Sequence, residues 1–374
     1  MRILVINAGS SSVKFSVFDM LAGEQRFKSE LERVSDVAEA VATIPGLLEK
    51  AGVAEIDAVG HRTVHGGEQF TEATLIDDAV LKEIEACTAL APLHNPPILA
   101  GIRMARTTWD VPQIAVFDTA FHQTMPAHAY TYAVPRSWRE KGLRRYGFHG
   151  TSHQYVMERV AEELGRPASE LRLISCHLGN GASVCAIDRG VSIDTSMGMT
   201  PLEGLVMGTR SGDVDPGIFH YLNRELGLSV AEIEDALYKD SGLAALSAAG
   251  RDMRDVRKRA GEGDADARLA IELYAYRVRK YIGAYAAAMN GLDVIAFTGG
   301  IGENDAAMRA KICSGFAFLG LAFDETRNAA VKLEGFEAPQ VQAEGSRIKV
   351  LVTQTREQWM IAKQAHRLLQ RHTM

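Results

Sequence analysis

Two clusters of small, hydroxyl and amide residues stand roughly half a chain apart in this 374-residue sequence. The first is Asn7, Gly9, Ser10, Ser11, Ser12 and Lys14; the second is His177, Gly179, Asn180, Gly181 and Ser183. Backbone N–H groups in such turns converge on an anion, serine hydroxyls add donors, and a lysine adds charge. Both clusters therefore read as phosphate clamps. In each, one β-type run enters the turn and another leaves it, giving a strand–turn–strand unit. The two commonest glycine-rich phosphate signatures need strand–turn–helix, and neither pattern is present. An ordinary hairpin accounts for either turn alone, and Asn180-Gly181 is a strong hairpin signal. Two copies of one design make the phosphate reading the more economical one.

Other chemistry-bearing residues are thinner on their own. Gly299, Gly300 and Gly302 follow an apolar strand and precede a helix, which suits close approach to a nucleotide. Arg62 lies inside a strand-like run, and Arg210 lies between Gly208 and Gly212. A buried guanidinium needs a carboxylate or a ligand anion, so each reads as an anion-binding group or as a structural ion pair with Asp118 or Asp213. The pairs His61/His65 and His149/His153 have i, i+4 spacing, yet the H-E-x-x-H zinc pattern is absent. His149, between Phe148 and Gly150 just before a helix, is the exception to a bland reading. Its imidazolium can stabilise developing phosphoryl charge.

The elements that must position these groups follow from apolar periodicity. Strands are expected at residues 2–6, near 57–65, at 111–117, 173–178, 292–298 and 347–352; helices are expected at 150–165, 264–291, 305–312 and 357–370. The chain is an apparent duplication, each half opening on one of the two turns. A boundary is expected between residues 120 and 150, with the ligand in the crevice between domains. A net charge of −6 gives no basic footprint for nucleic acid and no attraction to an anionic membrane. No apolar run reaches the ~18 residues needed to span a bilayer, and the N-terminus starts a strand without the pattern of a signal peptide. Four cysteines without C-x-x-C spacing fit reduced, buried thiols in a cytosolic protein.

Several blocks together closely resemble the acetate kinase family. They include Asn7–Lys14, Gly60-His-Arg-Thr-Val-His-Gly-Gly67, Ala91-Pro-Leu-His94-Asn-Pro96, Phe117-Asp-Thr-Ala-Phe-His122 and Gly147-Phe-His-Gly-Thr-Ser-His153. The series continues through His177–Gly181, Asp194–Gly198, Thr200–Gly204, Gly208–Asp213 and Gly299–Asn304, all in family order. The resemblance implies an α/β fold of duplicated ribonuclease-H-like (actin-like ATPase) domains. Residues 1–121 with the C-terminal helix 359–374 would form one domain and 122–358 the other, with a nucleotide crevice between them. It implies reversible transfer of the ATP γ-phosphoryl group to acetate with Mg²⁺, which Mn²⁺ can replace, in a cytoplasmic homodimer. Propionate or butyrate kinase is the nearest alternative, and an actin- or Hsp70-like nucleotide switch is one from another class.

Carried over by position, the resemblance implies that Asn7 and Glu357 hold the metal and that Lys14, with Ser10 and Ser12 of the same loop, meets the phosphates. Asp118, His149 and Arg210 would be catalytic. Arg62, Val64, Leu93, Phe148 and Pro201 would bind the substrate, Val64 favouring acetate. ATP would touch His177, Leu178, Gly179, Asn180, Gly181, Asp252, Met253, Arg254, Gly300, Ile301, Gly302, Glu303 and Asn304. Acetate is ionised at neutral pH and needs no general base, so Asp118 is expected to orient Arg62, water or the metal. Three departures from the family pattern stand out: a short stretch between residues 19 and 60, Arg356 and Gln358 around Glu357, and Ser247-Ala-Ala-Gly250 before Asp252.

Overall fold

Ile3, Leu4, Val5 and Ile6 are consecutive and all apolar, so the strand they form needs cover on both faces. It gets that cover in the computed structural model, which describes residues 1–9, 11–53, 55–91 and 94–373. Strand β1 (Arg2–Ala8) sends Leu4 and Ile6 to one side, where they meet Val41, Ile44 and Leu48 of the helix Val37–Lys50. Ile3 and Val5 point the other way, onto Ile361, Ala362, Ala365 and Leu368 of the C-terminal helix Glu357–Thr373. Gly60 permits that second contact, because a Cβ there would sit 3.0 Å from the Ile361 side chain.

The chain forms two units. Unit 1 comprises Met1–Gln123, Phe148–Tyr155 and Arg356–Met374; unit 2 comprises Thr124–Gly147 and Val156–Thr355. Unit 1 carries β1, β2 (Ser12–Asp19), β3 (Glu24–Glu32), β4 (Ala58–Thr63), β5 (Thr74–Leu75) and β6 (Gln113–Phe117). Their order is β3-β2-β1-β4-β6-β5. β1 pairs antiparallel with β2, and β2 with β3, while β1, β4 and β6 run parallel.

Unit 2 repeats the plan with β7 (Arg172–Leu178), β8 (Ala182–Asp188), β9 (Val191–Thr195), β10 (Val294–Thr298) and β11 (Lys349–Val352). Read from its meander edge the order is β9-β8-β7-β10-β11, with β7, β10 and β11 parallel. Strand for strand this matches β3-β2-β1-β4-β6. The duplicated ribonuclease-H-like architecture is thus written in the topology. The helix Ala265–Ala288 covers β7 and β8, burying Ile271, Tyr274, Val278, Ile282 and Tyr285 at helical spacing. Cys176, Cys185 and Cys313 are buried thiols outside any disulfide, and burial pushes all three above the ordinary thiol value. No helix among the described residues is long and apolar enough to cross a membrane.

Two histidines are folded into unit 1 without charge. His61 lies on β4, with Nε2 2.8 Å from Gln113 Oε1, and His65 accepts from the Gly67 N–H through Nδ1 at 3.0 Å. Burial lowers each from 6.5 to about 4. The unfolded chain takes up those protons near pH 6.5 while the fold refuses them until about pH 4, so stability is complete above 6.5 and falls as pH drops through that window. Unfolding free energies from urea titrations should decline between about pH 7 and pH 5, and the midpoints with them, by up to about 1.4 kcal/mol per pH unit for each imidazole. A flat midpoint across that range would contradict the burial of neutral histidines.

Candidate active site

Both glycine turns join antiparallel strand pairs, the first between Ala8 and Val13 and the second, one residue shorter, between Leu178 and Ala182. Asn7 faces Lys14 across β1 and β2, and His177 faces Ser183 across β7 and β8. Gly9 N–H closes the first turn on Ser12 O at 2.8 Å, and Gly179 N–H closes the second on Gly181 O at 3.1 Å. Beyond the first turn the strand alternates: Val13 and Phe15 are buried while Lys14 is exposed. Its ammonium stands 3.4 Å from Glu30 on the neighbouring strand. Ser10 lies outside the described residues.

In unit 1 the ends of three parallel strands bring the charged groups together. Arg62 near the end of β4 donates twice to Asp118 just past β6, Nε to Oδ1 at 3.1 Å and Nη2 to Oδ2 at 2.5 Å. Its Nη1 donates to Asn7 Oδ1 at 3.3 Å. Asp118 is 1% exposed. Burial works against charge on Arg62, but attraction to Asp118 and to Glu357 at the start of the C-terminal helix outweighs it and raises the guanidinium above its ordinary value. The ion pair between Arg62 and Asp118 is therefore present.

The segment Gly147–Gly150 docks onto this pair. His149 has φ of 59°, a left-handed conformation that costs a non-glycine residue energy and clusters at functional sites. Gly150 N–H donates to Asp118 O at 2.9 Å, and Phe148 O lies 2.9 Å from His122 Nε2. A Cβ on Gly150 would collide with the Asp118 carbonyl. Val64 and Phe148 are both buried, and the His65 ring meets Phe148 edge-on at 5.8 Å. Leu93 lies outside the described residues, and Pro201 belongs to unit 2.

Arg210, in unit 2, is in the opposite electrostatic state. Nη1 donates to Pro201 O at 3.2 Å, Met207 Sδ is 3.7 Å away, and the Tyr238 ring lies 5.9 Å from the guanidinium carbon. No carboxylate among the described residues pairs with it, and burial lowers it below the ordinary arginine value. Asp213, the partner considered for it, instead accepts from Gly204 N–H at 2.8 Å and Tyr281 OH at 2.6 Å.

Unit 2 also holds a cavity of about 690 Å³ lined by Gly179, Asn180, Arg251, Asp252, Met253, Arg254, Arg257, Gly300, Ile301, Asn304 and Asp305. Eight of the nominated nucleotide residues are in that lining. His177, Leu178, Gly181, Gly302 and Glu303 are not. Leu178 is fully buried, and Gly302 packs on Phe297 and Cys176. Glu303 Oε1 turns inward, accepting from Gly299 N–H at 3.0 Å and Thr355 N–H at 2.8 Å. The expected glycine turn after β10 is the first turn of a short helix, Gly299–Asn304. Gly299 has φ of 78°, and a Cβ there would lie 2.8 Å from Leu178 O.

A family model described as the Acetokinase family matches residues 21–363. The chain belongs to this family. It is 46% identical to the acetate kinase of Carboxydothermus hydrogenoformans over 99% of each chain. Among solved structures, Porphyromonas gingivalis acetate kinase is similar at a TM-score of 0.93 and 41% identity, covering 98% of this chain and 99% of that one. A propionate kinase from Francisella tularensis is similar at a TM-score of 0.91 and 40% identity, covering 97% and 98%.

Beyond the residues nominated from acetokinase motifs, the cavity includes Arg251, Arg257 and Asp305. Arg257 Nε donates to Asp305 Oδ2 at 2.5 Å. Helical spacing supplied a signal for Arg257, four residues after Met253 and hence on the same face. Asp305 was legible as the cap of the next helix, where it accepts from Met308 N–H at 2.9 Å.

Gly150→Ala should destabilise the protein by about 1–3 kcal/mol in urea titrations, because the new methyl meets backbone that cannot swing aside. Gly46→Ala, in open space on the helix Val37–Lys50, should instead stabilise it by roughly 0.5–1 kcal/mol. Equal effects at the two sites would show that the Asp118 contact is not tight.

Proposed function

We propose that this chain is an ATP:acetate phosphotransferase that moves the γ-phosphoryl group in line onto acetate, forming acetyl phosphate and ADP reversibly. The observation that carries the reading is Arg210: a half-buried guanidinium with no carboxylate partner among the described residues. Such a group is costly unless an anion arrives to meet it. Family membership, and acetate kinase relatives that match over nearly the whole chain, point the same way.

Acetate arrives ionised, so the chemistry is a problem of charge and alignment. A carboxylate oxygen forms the new bond to phosphorus while the bond to the ADP oxygen breaks, and no proton need move. Arg62, held flat by its two bonds to Asp118, offers Nη1 to the incoming carboxylate in exchange for Asn7. Arg210 acts as an arginine finger in cis on the transferring phosphoryl group, and His149 adds positive charge there when protonated. Val64 and Phe148 supply apolar cover for the acetate methyl. The cavity beside Gly179 and Asn180 takes the nucleotide, and Asn180 faces the retained phosphates. Lys14 exchanges Glu30 for a phosphate.

Asn7, Glu357 and Asp118 present hard oxygen donors, and Glu357 is close enough to Arg62 and Asp118 to influence both charges. That set suits Mg²⁺, which takes one or two carboxylates plus substrate phosphates. When bound, the ion would neutralise phosphate charge. Asn7 and Glu357 would hold it, with Asp118 behind them. A homodimer and a cytoplasmic location belong to the same proposal, and light scattering tests the former.

The Francisella propionate kinase likeness keeps a longer acid in play. Hydroxylamine trapping with ATP, Mg²⁺ and a series of short acids tests both readings. Acetate should give the highest kcat/KM, and one extra methylene should change it by roughly 10–200-fold. Propionate in first place would move the assignment; no acyl phosphate from any acid would end it. Arg210→Ala should lower turnover on the order of 10³-fold or more, measured in the same assay, and near-normal turnover would remove Arg210 from the mechanism.

A further inference from the structure

Arg210 sits in a stretch from Ser196 to Pro216 that has neither helix nor strand. Something other than regular secondary structure must therefore aim it. The one carbonyl its guanidinium bonds among the described residues is that of Pro201, at 3.2 Å. Pro201 is the middle of a turn, Met199–Glu203, and both ends of that turn close on one hydroxyl. Tyr132 OH accepts from Met199 N–H at 3.0 Å and donates to Glu203 Oε2.

Glu203 is held from the other side by Arg145 Nη2. Arg145 Nη1 in turn donates to the carbonyls of Thr195, Ser196 and Met197 at 3.0, 3.2 and 2.9 Å, anchoring the turn to the end of β9. Gly198 makes this closeness possible, since a Cβ there would collide with both Glu203 and Tyr132. Burial and the Glu203 charge raise the Tyr132 phenol well above its ordinary value, so the hydroxyl keeps its proton and can serve as donor and acceptor together.

We propose that Tyr132 is a positioning residue: through the Met199–Glu203 turn and the Pro201 carbonyl, its hydroxyl fixes the direction of Arg210. This rests on the phosphotransfer reading of the site. Tyr132 touches neither the lining of the nucleotide cavity nor the Arg210 guanidinium, so its effect on Arg210 is carried by the turn that presents the Pro201 carbonyl. A displacement on the order of 1 Å at a catalytic group costs up to about a hundredfold.

The test is Tyr132→Phe, which keeps the ring and removes the bridging hydroxyl, measured alone and in an Arg210→Ala background. Alone it should lower kcat for acyl phosphate formation on the order of tenfold while KM for ATP and calorimetric ADP affinity stay unchanged. In the Arg210→Ala background it should cause no further loss, because the two changes remove the same interaction. Unchanged kcat in the single variant, or an equal fold-loss in both backgrounds, would overturn the proposal. Should Tyr132→Phe fail to fold, Glu203→Gln is read by the same pair of measurements, with the same pattern expected. A wild-type chain that makes no acyl phosphate overturns the phosphotransfer reading and this proposal with it. An active wild type beside an unaffected Tyr132→Phe overturns this proposal alone.

Discussion

The bidentate pair of Arg62 and Asp118 is the interaction on which unit 1 converges. Four separate segments meet at it: the end of β1 through Asn7, the end of β4, the residue after β6, and the Gly147–Gly150 loop through Gly150 N–H. Desolvating two charges is expensive, and breaking such a pair by removing one member costs about 3–5 kcal/mol because the other is left stranded. The pair is therefore poor as a source of stability and strong as a constraint. It sets where the strand ends lie relative to one another and leaves one guanidinium edge facing Asn7, replaceable by a substrate oxygen.

In the proposed phosphoryl transfer the two arginines would divide the work of meeting two anions. Arg62 is charge-compensated, so it can orient a carboxylate without binding it so tightly that transfer stalls. Arg210 is uncompensated, resting on a carbonyl, a thioether and an aromatic face. Its field is undiminished where charge develops during transfer. Binding that strengthens in the transition state is what accelerates a reaction, and an unpaired, preoriented guanidinium meets that condition better than a paired one.

Much of this was legible in the sequence, for identifiable reasons. The strands β1, β6 and β10 are buried on both faces and carry runs of four apolar residues, Ile3–Ile6, Ile114–Phe117 and Val294–Phe297, and the second hairpin carries glycine and asparagine at its tip. β3 was not legible: Glu24-Gln-Arg-Phe-Lys-Ser-Glu-Leu-Glu32 is a polar edge strand, recruited by β2 rather than by its own pattern. The ion pair of Arg62 could be weighed but not decided, since Asp118 comes near it only through parallel pairing of β4 with β6. Glu303 entered the expected ATP contacts through the resemblance of the run Gly300–Asn304. Its carboxylate is instead occupied by two backbone N–H groups, a use that no local spacing announces. The role of Tyr132 was invisible for the same reason, its partners lying in a turn some seventy residues away.

The three buried thiols carry a practical corollary. Cys176 and Cys185 sit on adjoining strands of the second sheet and Cys313 on a neighbouring helix, all kept protonated by burial. A thiol must become a thiolate and meet solvent before it reacts. Labelling of these positions by an electrophile is thus a clock for opening of the second sheet, with no engineered reporter needed. Nucleotide that grips Gly179 and Gly300, at the tips of the strands bearing Cys176 and Phe297, should slow that clock in proportion to its occupancy.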